Sequence, residues 1–173
     1  MRLFIALDFE NTSEYLKTLQ EKIPEAKATY PKEFHLTLKF LGDVSEEKIN
    51  EVKEKLKEVK VEEIKVKLGK MGVFPNENFI RVTWVGMEDG KKIEELQKRI
   101  EDALSGMFEK DNRFHPHITL ARIKFIEQDK KKEFVDKVKS IEIEPKEITI
   151  TKFKLIKSEL KPDGPVYEVL EEY

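Results

Sequence analysis

The chain repeats itself at one fixed distance. His35-Leu36-Thr37-Leu38 returns 82 residues later as His117-Ile118-Thr119-Leu120, and the same distance matches apolar residues well beyond the motif. It sets Val52 against Phe134, Leu56 against Val138 and Val59 against Ile141, the buried stripes of two helices. It then sets Val66 against Ile148, Leu68 against Ile150 and Val73 against Leu155, on segments that alternate as strands do. A repeat held through strand, helix and strand means that one supersecondary unit is used twice. A strand and a helix also precede each motif, Leu3 to Ile23 in one half and Phe79 to Leu104 in the other. Two similar lobes related by a pseudo-twofold axis are expected, with the equivalent strands meeting at a shared groove.

The remaining elements follow from periodicity and punctuation. Leu3 to Leu7 reads as a strand; Tyr15, Leu16, Leu19 and Ile23 mark one face of a helix that Pro24 stops. The first motif strand runs from about His35 to Leu41, and Gly42-Asp43 turns it into a helix capped by Ser45, with Glu46 and Glu47 set favourably against the helix dipole. A strand from Ile64 toward Phe74 turns at Pro75-Asn76-Glu77-Asn78 into Phe79 to Val85. A helix from about Lys91 carries Ile93, Leu96, Ile100, Ala103 and Leu104 and ends at Gly106. After the second motif come a helix with Phe134, Val135 and Val138 and one strand through Ile148, Ile150, Phe153 and Leu155. Pro162 to Pro165 turns the chain into a closing strand, Val166 to Leu170.

Composition narrows the class. At 173 residues the chain makes one ordinary domain or two small lobes on a shared core, and without cysteine it has neither disulfides nor a thiolate metal site. Asp8 ends the first apolar run early, so that run reads as a strand rather than a signal peptide, and no stretch reaches the length of a membrane span. A cytoplasmic protein is expected. Lys plus Arg number 33 against 35 Asp plus Glu, a balance unlike that of domains that grip long nucleic acid by its phosphates. An RNA partner would be recognised locally, at a terminus.

The motif itself carries chemistry. On a strand, His35 and Thr37 share one face, and His117 and Thr119 share another, while Leu36, Leu38, Ile118 and Leu120 pack behind. Histidine titrates near neutrality, so one imidazole can take a proton while the other gives one, as displacement at phosphorus requires. Thr37 and Thr119 can donate hydrogen bonds to non-bridging phosphate oxygens. Strict alternation puts Lys39 on the His35 face as a candidate phosphate or RNA contact. It puts Arg122 on the face away from His117, unless the strand ends or bulges first. His115 and His117 have chelating spacing, but no acidic or thiol partner accompanies them, and His115 reads as a rim residue. Phe34, Phe40, Phe74 and Phe114 are stacking candidates or core, and Lys130-Lys131-Lys132 reads as a solvated helix face. No phosphate loop of the Gly-x-x-x-x-Gly-Lys-Ser/Thr type occurs, and no cofactor or metal is expected.

Arg2-Leu3-Phe4-Ile5-Ala6-Leu7, His35 to Gly42 (HLTLKFLG) and Pro116 to Arg122 (PHITLAR) together resemble the two-histidine phosphoesterases, and within them the RNA 2′,3′-cyclic phosphodiesterases, also called 2′-5′ RNA ligases. The resemblance covers essentially the whole chain in order. It implies a bilobal α+β fold, one domain over residues 1–173 with mainly antiparallel sheet and outer helices around a central cleft. It implies metal-independent hydrolysis of RNA 2′,3′-cyclic phosphates to 2′-phosphates, with reversible 2′-5′ joining of ends such as tRNA halves as a second activity. Carried over, His35 would be the proton donor to the leaving O3′ and His117 the proton acceptor that activates water, roles that residue types alone do not assign. Arg122 matches a family position linked to substrate phosphate. The expected partner is an RNA end rather than DNA or a membrane, and the expected state is a monomer. A 2′-5′ oligoadenylate or small cyclic-nucleotide phosphodiesterase would use the same histidines, and a noncatalytic RNA-end-binding module stays open as a third reading.

Overall fold

The computed structural model describes residues 1–173. Nine strands and four helices follow in the order β1 (Arg2–Asp8), α1 (Ser13–Lys22), β2 (Lys27–Thr29), β3 (His35–Asp43), α2 (Glu46–Lys57), β4 (Ile64–Asn76), β5 (Phe79–Glu88), α3 (Lys91–Ala103), β6 (His117–Phe125), α4 (Lys131–Ser140), β7 (Glu147–Ile150), β8 (Lys154–Lys161) and β9 (Gly164–Glu172). They form two antiparallel sheets, β3-β1-β8-β9 and β2-β6-β5-β4-β7. The fold is the expected α+β architecture, with one motif strand in each sheet. No helix is long and apolar enough to cross a membrane.

Each helix exists because its apolar residues fall on one face. Leu16 and Leu19 of α1, Ile49, Val52 and Leu56 of α2, Ile93, Leu96 and Ile100 of α3, and Phe134, Val135 and Val138 of α4 are all buried. The acidic first turn and basic last turn of α2 also match its dipole. These faces cover one side of each sheet, and Leu3, Ile5, Leu7, Leu36, Leu38, Ile118 and Leu120 meet them in a single core that joins both sheets. The opposite sheet faces carry the histidines.

The halves are interlaced. Offset by 82 residues, β4 corresponds to β7 and β8 together, but these copies part company at residues 151–153: β7 pairs with β4, whereas β8 crosses to pair with β1. The single strand expected through Ile148, Phe153 and Leu155 is therefore two, with Phe153 buried in the core between them. Val66 lies opposite Ile148 in the β4–β7 ladder. Those residues are each other's equivalents under the repeat, so a local twofold axis passes between them. Helices are exchanged in the same way: α1 packs on β6 and α3 packs on β3. The short strand β2, not expected from the sequence, adds to the edge of β6.

Candidate active site

The two motif strands show the same order of burial along all nine residues: histidine and threonine are half-buried, and the intervening apolar residues are buried. Both then break their alternation at the same point. Along β3 the ladder passes from Thr37 opposite Ala6 to Lys39 opposite Ile5, leaving Leu38 as an extra residue. Along β6 it passes from Thr119 opposite Trp84 to Ala121 opposite Thr83, leaving Leu120. A bulge of one residue inverts the facing of everything after it. The Leu120 carbonyl, outside the β5 ladder, accepts a hydrogen bond from Gln20 Nε2 of α1 at 3.0 Å.

That inversion overturns the expectation for Lys39 and meets the exception left open for Arg122. Lys39 turns inward rather than toward phosphate: it is 4% exposed, its ammonium lies 2.9 Å from both carboxylate oxygens of Glu101 on α3, and it donates to the Glu109 carbonyl at 2.7 Å. Arg122 turns to the His117 face instead of away from it, is exposed, and its charge reaches His117 on one wall and Tyr167 of β9 on the other. Phe40, equivalent to Arg122 under the repeat, follows the same inversion and is 73% exposed beside Phe4.

On the His117 wall the floor is aromatic. Trp84 lies across two glycines: a Cβ at Gly72 would stand 2.5 Å from its ring and one at Gly86 would stand 3.1 Å away. Phe74 stacks on Trp84 at 4.9 Å, and the His117 ring meets Phe74 edge-on, also at 4.9 Å. His115 is exposed and stands edge-on to Trp84 at 5.0 Å, and no group of three or more potential metal ligands gathers there or elsewhere. Phe34 lies in the core and Phe114 packs against it. Lys130 pairs with Glu127 and Lys131 donates to the Asn78 carbonyl, both at the surface.

His117 Nδ1 lies 2.7 Å from the His115 carbonyl oxygen. A carbonyl only accepts, so Nδ1 carries the hydrogen, and the neutral ring keeps its lone pair on Nε2. Burial holds the His117 pKa below its ordinary value; the bond to the carbonyl opposes this, and the charges of His115 and Arg122 add to the lowering. On the other wall His35 stands opposite Asp8 in the β3–β1 ladder, edge-on to Tyr167 at 4.9 Å and to Phe4 at 5.7 Å. Burial also lowers the His35 pKa, Asp8 raises it, and Lys154 lowers it.

These directions set a pH dependence. A reaction that needs one ring neutral and the other protonated is fastest between their two apparent pKa values, and both lie on the acid side of the ordinary 6.5. The kcat/KM profile for a phosphodiester is therefore expected to be bell-shaped with its maximum below pH 6.5. A maximum on the alkaline side would contradict the assignment.

Several neighbours of the histidines escaped the sequence reading. Asp8 was visible only as the acidic end of an apolar strand, and Trp84 only as the sole tryptophan. Tyr167 and Lys154 reach His35 from strands more than a hundred residues away, and no local pattern marks them.

The family model described as LigT like Phosphoesterase matches the chain twice, over residues 7–84 and 85–167. An RNA 2′,3′-cyclic phosphodiesterase of Methanocaldococcus jannaschii is 40% identical and covers 100% of both chains. One of Archaeoglobus fulgidus is 33% identical, covering 98% of each. Among solved structures, a Thermus thermophilus protein is 30% identical with a TM-score of 0.77, covering 100% of this chain and 97% of its own. E. coli LigT complexed with 3′-AMP is 26% identical with a TM-score of 0.76, covering 99% and 96%.

Proposed function

Because the chain belongs to the LigT-like phosphoesterases, we propose that it hydrolyses RNA 2′,3′-cyclic phosphate termini to 2′-phosphomonoesters, with His117 as base and His35 as acid. The observation that carries the division of labour is the contact from His117 Nδ1 to the His115 carbonyl, which leaves Nε2 as the basic atom of that ring. In the proposed step His117 takes a proton from water as its oxygen attacks phosphorus. The P–O3′ bond breaks and His35 gives its proton to O3′, leaving a 2′-phosphate and a free 3′-hydroxyl. Thr37 and Thr119 donate to the non-bridging oxygens, and Arg122 supplies positive charge to the same phosphate from the cleft face of β6. Solvent exchange then restores the proton on His35 and removes the one on His117.

A cyclic phosphate of this kind needs the 2′-oxygen, so ribose is built into the substrate and DNA is excluded by its chemistry. The near-balanced charge of the chain supports recognition of an end rather than of a long tract. Attack by a 5′-hydroxyl in place of water would give 2′-5′ joining, with tRNA halves as one such pair of ends. Both walls of the cleft come from one chain, which supports action as a monomer, and the cytoplasm is the proposed compartment. The repeated burial order, the shared bulge and the double family match support descent of the two halves from one duplicated unit.

Product analysis tests the reading. An RNA ending in a 2′,3′-cyclic phosphate, incubated with the protein in excess EDTA beside a 2′-5′ oligoadenylate, is expected to yield the 2′-phosphomonoester while the oligoadenylate persists. A 3′-phosphate product would remove O3′ as the leaving atom. Binding without turnover would reduce the protein to an end-binding module, and loss of activity with EDTA would sink the metal-free step.

A further inference from the structure

We propose that Asp8 is the positioning residue that favours the proton-giving form of His35 against the effect of burial, and that Lys154 limits how strongly it does so. The proposal rests on the acid role given to His35 above. It starts from the ladder position directly opposite each histidine, where the two copies differ in charge. The residue opposite His35 in its ladder is Asp8, and the residue opposite His117 is Gly86. Directly opposed residues in an antiparallel pair point to the same face, with their Cβ atoms about 5 Å apart. One imidazole thus has a carboxylate for its neighbour, while the other has no side chain there at all.

The wider surroundings carry the same contrast. The charged groups that face His35 are Asp8 on β1 and Lys154 on β8; Tyr167 from β9 and Phe4 from β1 flank it as rings. Those that face His117 are Arg122 and His115. A carboxylate favours an imidazolium, whereas a guanidinium and a second imidazole disfavour it. Burial lowers the pKa of both rings, but a neighbouring carboxylate opposes that lowering only at His35, whereas the charges around His117 add to it.

Lys154 is placed to moderate this. Its ammonium forms an ion pair with Asp8 and lies 3.3 Å from Glu172 of β9, so it is divided between two carboxylates. Glu172 is itself held at 2.6 Å by Lys152. Burial would raise the Asp8 pKa, but the hydrogen bond and charge of Lys154, together with the Glu10 backbone N–H and the charge of His35, outweigh it and keep the carboxylate ionised where His35 titrates. Asp8 thus retains a negative charge beside the ring even while it is clamped.

The test follows each histidine ring by NMR titration in the substrate-free protein and sets the result beside the kcat/KM profile. In Asp8→Asn the His35 titration is expected to move to lower pH while that of His117 stays. The alkaline limb of the profile should move with it, and kcat/KM above that limb should fall about tenfold, the effect of removing one adjacent opposite charge. In Lys154→Met the His35 titration should move the other way, which keeps the proposal testable should Asp8→Asn fail to fold. A His35 titration that stays in place in both variants, with any loss of rate equal at every pH, would show a merely structural role and overturn the proposal. The titrations need no substrate, so a wild-type protein inert toward cyclic phosphates would sink the proposed function while leaving this comparison readable.

Discussion

Replacing His117 or His35 with alanine is expected to lower turnover of a cyclic-phosphate RNA end by about 10²–10⁴-fold in each case, the usual worth of a positioned acid or base. Neither ring contributes to the main core: both are half-buried on the cleft face, while Leu36 and Ile118 beside them are fully buried. Each variant should therefore melt within a few degrees of the wild type. The double variant should lose less than the product of the two single losses, because base and acid act in one displacement and removing either already forfeits most of the concerted step. Initial rates with the cyclic-phosphate end, measured beside thermal unfolding, check all three statements. A single variant retaining substantial activity would break the pair assignment, and a large fall in melting temperature would move that histidine from chemistry to structure.

Replacing Glu101 with alanine is expected to cost about 3–5 kcal/mol of stability, the penalty for leaving a buried charge without its partner. For a chain of this size that is a fall in Tm of roughly 6–20 °C. The reason is how completely Lys39 is enclosed. Its side chain is 3% exposed and that of Glu101 4%, and the ammonium's three contacts all go to Glu101 and the Glu109 carbonyl. Glu101 also accepts from Gln97 Nε2 at 3.1 Å and from the Asp111 backbone at 3.3 Å, so one substitution loosens α3, β3 and the loop before β6 together. Removing both charges is a different matter: Lys39→Met with Glu101→Leu should recover most of the loss, since an apolar pair needs no desolvation of ions. Thermal unfolding of the single and double variants separates these outcomes. A Glu101→Ala protein as stable as wild type would mean that water reaches Lys39.

The fate of Lys39 shows how far the sequence could be read. Helix stripes such as Val52 and Leu56 repeat every three to four residues and were legible directly, as were the hairpin at Pro75 to Asn78 and the strand-ending acid Asp8. The matching of Val66 with Ile148 was legible too, although only the ladder revealed that the two lie face to face on a twofold axis. The division of residues 147–161 between two sheets was not, because Ile148 and Leu155 carry the same apolar signature whichever sheet receives them. Arg122 turns on the exception that its reading allowed, a bulge before it. Counting by twos from His117 holds only while the strand stays in register with its neighbour.

By itself the sequence determined the two motif strands, the common face of each histidine and threonine, and the repeat that makes those faces equivalent. These are properties of spacing along one strand, where the side-chain period of two is set by local backbone geometry. The tertiary structure alone decided which wall faces which and where the alternation breaks. It also decided that a carboxylate stands opposite one histidine in its ladder and a glycine opposite the other. A bulge is a mismatch between two strands, and a ladder partner is a residue from a distant part of the chain, so neither is settled by one strand alone. Along β3 polar and apolar residues go on alternating past Leu38 as far as Phe40, whereas along β6 the apolar residues change phase from Ile118 and Leu120 to Ala121 and Ile123. Pairing with β1 and β5 is what makes Leu38 and Leu120 the extra residues, turning Lys39 into the core and Arg122 into the cleft.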